Sequence, residues 1–219
     1  MTYGIRRVGT NLRQHGILQV AEDVGLRGIN RVMLLKVLHC MKLDAVNPEF
    51  LTPPTGYRGM VLDYARLSRY AKAPEYELSQ AFVEQASAKG DQCYGFVDGD
   101  VLGAYQWYST KPTDSGWHGL VVNFSDQYVY MYKAFTHPNH RGKRLYPIGV
   151  TTMLATCFAR GYKGILSLVE SNNFPSLRSC YRMGYTDCGK LYAAVLFDHF
   201  LLHADSACQA YGFRLTRTD

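Results

Sequence analysis

The segment Thr136-His137-Pro138-Asn139-His140-Arg141-Gly142-Lys143-Arg144-Leu145-Tyr146-Pro147 gathers cationic and small residues between a run of β-formers and a run of helix-formers. A basic loop that opens a helix is a phosphate site on physical grounds. The first amide N–H groups of the helix lack intrahelical acceptors, and its dipole favours an anion. Just upstream, Tyr128, Tyr130 and Tyr132 alternate, so period-two geometry puts them on one strand face. Such a face suits a pocket wall, and equally a packed core, because tyrosine is a common strand former. Two histidine pairs, His137/His140 and His199/His203, have spacings met at metal sites. The second reads as one helical turn, but it lacks the glutamate of a zinc-protease helix, and neither pair has a third ligand, so no metal is expected. Ser115-Gly116-Trp117-His118-Gly119 lacks the Gly-x-Ser-x-Gly order of a nucleophile elbow.

The elements that must position these groups follow from periodicity and punctuation. Residues 10–43 read mostly as helix, with Ile29, Val32, Met33, Lys36, Val37, Cys40 and Met41 recurring at three and four. Gly16, Gly25 and Gly28 divide that stretch. Asn47-Pro48 through Pro53-Pro54-Thr55-Gly56 is a loop, and Glu75–Lys89 a second helical stretch. Cys93–Val97 and Val101–Ser109 flank Asp98-Gly99-Asp100 as a hairpin. Tyr128–Thr136 is a strand, and Ile148–Ala159 a helix with Pro147 in its tolerant first turn. Gly164–Val169 is a short strand, Asn173–Met183 a helix closed by Gly184, and Tyr192–Phe197 a strand. Alternating strands and helices imply a mixed sheet covered on both faces. The expected division is a basic, mainly helical segment over 1–72 packed on a core over 73–219.

At 219 residues, 47% hydrophobic and 19% charged, the chain can bury a sizeable core. No apolar run reaches the roughly 18 residues of a membrane span, and no signal-peptide core follows Arg6 and Arg7, so a cytoplasmic location is expected. Cys40, Cys93, Cys157, Cys180, Cys188 and Cys208 form no CxxC pair and read as buried, reduced thiols. The net charge of +6 resides in residues 1–72, with 11 Lys/Arg against 5 Asp/Glu, while the remainder balances at 13 against 13. A solvated surface accounts for that bias, and nucleic acid is not expected as a partner.

The loop resembles the coenzyme A pyrophosphate loop of the GNAT acyltransferases, commonly Pro-x-x-Arg-Gly-x-Gly at a strand-to-helix junction. Pro138, Arg141, Gly142 and Lys143 match, whereas Arg144 and Tyr146 replace the family's small residues. A second stretch, Asn173-Phe174-Pro175-Ser176-Leu177 through Arg182-Met183-Gly184-Tyr185, resembles the family's Asn-x-x-Ala/Ser helix ending in Lys/Arg-x-Gly-Phe. The resemblance implies a GNAT-like α/β fold, a mixed, mostly antiparallel sheet flanked by helices, with an N-terminal helical extension and its catalytic half in about 74–197.

The same resemblance implies an N-acyltransferase carrying an acyl group, most simply acetyl, from coenzyme A to a small amine. The co-substrate is acetyl-CoA or another acyl-CoA, gripped through Arg141, Gly142, Lys143, Arg144, Leu145 and Tyr146. Leu166–Val169 corresponds to the strand that splays to admit the pantetheine arm, with Asn173 and Ser176 beside that arm. A strand amide near Phe135 or Thr136 is expected to hold the oxyanion. The family's helix tyrosine, a general acid, falls seven residues after the asparagine. Cys180 has that register and Tyr181 lies one place later, about 100° around the helix. Glu170 is the carboxylate nearest both motifs and the candidate base. Tyr128, Tyr130 and Tyr132 are the candidate acceptor wall. Alternatives are a longer acyl-CoA or acyl carrier protein donor, a non-catalytic coenzyme- or nucleotide-binding module, and nucleic-acid binding through the basic segment.

Overall fold

The computed structural model describes residues 34–196 and 199–217. In chain order the strands are β1 (Leu34–Leu43), β2 (Arg58–Leu62), β3 (Gln92–Asp98), β4 (Val101–Ser109), β5 (Thr113–Asp114), β6 (Leu120–Asn123), β7 (Val129–Thr136), β8 (Ile165–Glu170), β9 (Thr186–Leu196), β10 (His199–Ala204) and β11 (Arg214–Arg217). The α-helices are α1 (Tyr64–Tyr70), α2 (Gln80–Lys89), α3 (Leu145–Ala159), α4 (Phe174–Met183) and α5 (Ser206–Gln209). Eight strands form one sheet in the order β10-β9-β1-β8-β7-β4-β3-β2, and β11-β6-β5 form a small second sheet. Every pairing is antiparallel except β7 with β8.

Local chemistry explains the helices that frame the centre of the sheet. The Ser79 hydroxyl caps α2 by accepting from the Phe82 amide at 3.2 Å. Asn173 Oδ1 caps α4 by accepting from the Ser176 amide at 3.3 Å, with Pro175 in the first turn and Gly184 ending the helix. Helices α3 and α4 cover one face of the sheet, burying Ile148, Met153, Leu154, Leu177 and Met183 against Phe96, Ala104, Met131, Ile165 and Val169. On the opposite face, α1 and α2 bury Leu67 and Val83 against Leu102, Tyr105, Trp107 and Phe135. The small sheet closes the remainder through Val122 and Phe213, packed on Cys40, Tyr130 and Leu166.

The structure corrects the helical reading of residues 34–43. Leu34–Leu43 is a strand in the main sheet, antiparallel to β8 on one side and β9 on the other. Both edges are paired and both faces covered, so period-two alternation is weak. The expected helix over residues 10–33 lies outside the described residues. Helix α2 begins at Gln80, later than expected, because Pro74–Tyr76 forms a separate 3-10 turn. His199 and His203 stand on β10, an extended strand. Four residues apart in a strand is about 13 Å, so the helical-turn spacing that suggested a ligand pair does not exist.

Candidate functional site

The centre of the sheet is split. Strands β7 and β8 pair only at Val129/Ile165, Tyr130/Leu166 and Met131/Ser167, after which neither pairs with the other. Strand β8 stays on β1 as far as Glu170, and β7 stays on β4 as far as Thr136, so the two halves of the sheet part. The break coincides with a bulge in β7, where Trp107 faces Lys133 but Tyr108 faces Met131, leaving Tyr132 as the extra residue. Beyond it, the His137 amide donates to the Gly103 carbonyl at 3.0 Å. In an antiparallel ladder the directly opposed pair two residues back, Phe135 with Tyr105, then also turns its main-chain groups toward the partner strand. The intervening Ala134 and Thr136 turn theirs away from β4, into the gap. The Thr136 carbonyl accordingly accepts from Arg141 Nε at 3.4 Å, and Ala134 is exposed in mid-strand.

The predicted pyrophosphate loop lies at the open end of this gap. Pro138–His140 makes a 3-10 turn, and α3 starts at Leu145. The first i→i−4 bond of α3 runs from the Ile148 amide to the Arg144 carbonyl at 3.2 Å, as at any helix start, and Pro147 just before it has no N–H to satisfy. Arg141, Gly142, Lys143 and Arg144 are all exposed. Gly142 has φ of 78°, with nothing within 4 Å of where a Cβ would stand. Arg144 also has a positive φ, 58°, and makes no side-chain cap. The loop therefore keeps a left-handed backbone where the GNAT pattern has a small residue, and the large side chain there is exposed. Tyr57, which no sequence pattern singles out, braces the loop. Lys143 Nζ donates to its hydroxyl at 2.8 Å, and that hydroxyl lies 2.6 Å from His140 Nδ1. Burial, with His137 and Lys143 nearby, lowers the His140 pKa and so favours the neutral ring.

Leu145 contributes a buried side chain and an N-terminal amide. Tyr146 is half-buried and packs against the cluster that holds Cys180 of α4, with its hydroxyl near enough to lower the pKa of that thiol. Burial pushes that thiol up to about 11 against the opposing effect of the hydroxyl, so it stays protonated at neutral pH. Asn173 and Ser176 lie together at the N-terminus of α4, with Asn173 exposed and its carbonyl oxygen spent on the cap.

Two expected roles do not fit their positions. Tyr181 is turned away from Cys180, since α4 runs without interruption to Met183. Its exposed hydroxyl donates to Asp187 at 3.3 Å, and that carboxylate also holds His39 Nδ1 at 2.6 Å, on the β1–β9 side of the sheet. Phe135 stacks its ring on Tyr105, and its main chain faces β4, so Thr136 and Ala134 carry the gap-facing amides.

On the face opposite α3 and α4, the same gap adjoins a cavity of about 200 Å³. Tyr130 and Tyr132 line it with Leu38, Leu168 and Glu170 from the main sheet, and the small sheet and its loops roof it with residues such as Trp117. Tyr128 precedes β7 and packs on the Tyr211 ring instead, 5.7 Å between centroids. The Tyr132 hydroxyl donates to Asp91 at 2.7 Å. Glu170, at the end of the splayed strand, pairs with Lys36 of β1. Lys36 and the roof were missed in the sequence because no local pattern connects residue 36 or residues 115–122 to residue 170.

This architecture recurs in solved proteins of low sequence identity. A tandem GNAT protein from the clavulanic acid biosynthesis pathway matches with a TM-score of 0.52 at 15% identity, over 74% of this chain and 53% of its own. An acetyltransferase of the GNAT family from Colwellia psychrerythraea gives 0.52 at 12% identity, over 74% and 56%. A GNAT-family protein from Novosphingobium aromaticivorans gives 0.50 at 16% identity, over 78% and 66%. The chain thus spans between about half and two thirds of the length of these structures. The fold is that of the GNAT acetyltransferases. No protein-family model matches the chain, and no curated protein matches its sequence.

Proposed function

We propose that this chain, built on the GNAT fold, is an acyl-CoA-dependent N-acyltransferase acting on a small amine. The observation that carries this reading is one continuous arrangement. A cradle of helix N-terminal amides and cations lies on one face, parted strands whose β7 main-chain groups turn into the gap lie in the middle, and a walled cavity lies on the other face. A phosphate-bearing, extended co-substrate suits the first two, and a compact acceptor suits the third.

The residues divide the work accordingly. Amides of residues 142–146 and the N-terminus of α3 hold the pyrophosphate, with Arg141, Lys143 and Arg144 adding charge-assisted bonds. Ala134 and Thr136 offer the gap-lying arm the bonds of a strand edge, and the side-chain amide of Asn173 is left free to meet it. The thioester supplies the acyl carbon, and Glu170 receives the proton that the attacking amine must lose. The Tyr146–Cys180 pair, between α3 and α4, is the proton source for the departing thiolate. Much of the acceleration comes from holding amine and thioester in line.

Calorimetric titration with acetyl-CoA, followed by thiol-release assays against a panel of amines, tests the reading. Micromolar binding and amine-dependent thiol release are expected. The double variant Arg141→Ala/Arg144→Ala should lose at least tenfold in acetyl-CoA affinity while keeping its fold. Unchanged affinity in that variant would remove the loop assignment.

A further inference from the structure

The cavity that adjoins the gap has a specific charge pattern. Its body is aromatic and aliphatic, from Tyr130, Trp117, Leu38, Leu168 and Val122, and its only charged lining residues among the described residues are Lys36 and Glu170. Glu170 faces Leu38 across the β1–β8 ladder, so Lys36 lies diagonally beside it, two residues along the same face. The two are ion-paired, with 32% and 45% of their side chains exposed, and the Lys36 ammonium also lies 5.7 Å from the Trp117 ring centre. Both charges are accessible from the cavity, and the pair can open without exposing a dry core.

An acceptor amine that docks on Glu170 takes away the partner of Lys36. A plain alkylamine adds a second cation and leaves Lys36, only about a third exposed, without its carboxylate. An acceptor with a carboxylate next to its amine replaces one ion pair by two, and no charge is left alone. The aromatic and aliphatic walls suit an apolar side chain. The volume lies below the roughly 300–1,000 Å³ typical of drug-sized ligand sites, which favours a single small molecule.

We propose that the acceptor is an apolar α-amino acid, held by its carboxylate on Lys36 and its amine on Glu170. This rests on the acyl-transfer reading for its chemistry, though not for its binding. Glu170 takes one proton from the ammonium, the freed amine forms the N–C bond, and the C–S bond breaks. The Tyr146–Cys180 pair gives its proton to the sulfur and is restored by the second amine proton, giving an N-acyl amino acid, coenzyme A thiol and one proton released to solvent.

The test compares leucine and phenylalanine with their decarboxylated counterparts, isopentylamine and phenethylamine, on the full chain with acetyl-CoA. At least a tenfold higher kcat/KM is expected for the amino acids. Lys36→Met should collapse that ratio toward one and Lys36→Arg should largely restore it, with circular dichroism confirming that both fold. In parallel, thermal shift without any coenzyme should show stabilisation by leucine or phenylalanine and not by the amines. Amines that match the amino acids, or a ratio indifferent to Lys36→Met, overturn the proposal while leaving acyl transfer intact. Absence of acetyl-CoA binding overturns acyl transfer, and the thermal-shift comparison then decides the amino-acid site by itself.

Discussion

At the scale of the residue, Arg144 and Gly142 separate backbone from side-chain contributions in the loop. Both have positive φ, but only Arg144 carries the strain of a Cβ in the left-handed region. Arg144→Gly should therefore leave stability unchanged or raise it by up to about 1 kcal/mol, the relief being partly offset by the greater freedom of unfolded glycine. Acetyl-CoA affinity should nevertheless fall severalfold, because a charge-assisted phosphate contact is lost. Gly142→Ala imposes the opposite, costing about 1 kcal/mol, or roughly 2–4 °C in Tm for a domain of this size. Thermal melts paired with calorimetry check both, and parallel losses of stability and affinity in Arg144→Gly would refute the separation. The loop was legible in the sequence because its evidence is local: a proline, adjacent cations and a glycine at a helix start. Phe135 and Tyr181 were misassigned for a different reason. Which neighbour a strand amide faces depends on ladder register, and which side of a helix meets the gap depends on tertiary packing, neither of which spacing alone reveals.

At the scale of the element, α3 is fitted to β4 through one close contact. A Cβ on Gly149 would come within 2.4 Å of Gln106 Oε1, and the Gln106 amide is fully buried with no hydrogen-bond partner among the described residues. Gly149→Ala should therefore cost about 1–3 kcal/mol through overpacking, despite the better helix propensity of alanine. It should also weaken acetyl-CoA binding by tilting the N-terminus of α3. Gln106→Ala removes the obstructing group, so the double variant should recover most of the lost stability, giving a clear coupling in a double-mutant cycle followed by urea unfolding. Additive losses would mean that the two residues do not share the space. Strand β1 shows why some elements escaped the sequence. Lys36 falls in the three-and-four recurrence that reads as a helix, with His39 and Lys42 off that stripe. In the structure each is a strand residue with its own acid: Glu170, Asp187 and Asp44, respectively. The partners lie far away in sequence for the first two, so the pattern that decided the fold there was not a local one.

At the scale of the whole molecule, the cysteines make stability depend on alkaline pH in a definite direction. All six are free and buried, which agrees with the reading of scattered, reduced thiols. Burial is the largest influence on each of them and raises every one. For Cys157 and Cys180 the rise is from 9.0 to about 11. In the unfolded chain these thiols lose their protons near pH 9, whereas the folded chain keeps them, so the unfolded state binds fewer protons between those values. Stability is then fully present below about pH 8.5 and falls as pH rises through 9 to 11, by up to about 3 kcal/mol for each of the two thiols. Urea midpoints measured from pH 7.5 to 11 should decline over that window, and Cys157→Ala/Cys180→Ala should flatten the decline while lowering stability at pH 7.5 through the lost packing. The same burial predicts that a thiol reagent at pH 8 finds all six slow in the native protein and all six fast in guanidinium. A native thiol that reacts within seconds would place a thiolate on the surface. Were it Cys180, the closed contact with Tyr146 would have to open in solution, and the proton source assigned to the departing thiolate would fall with it.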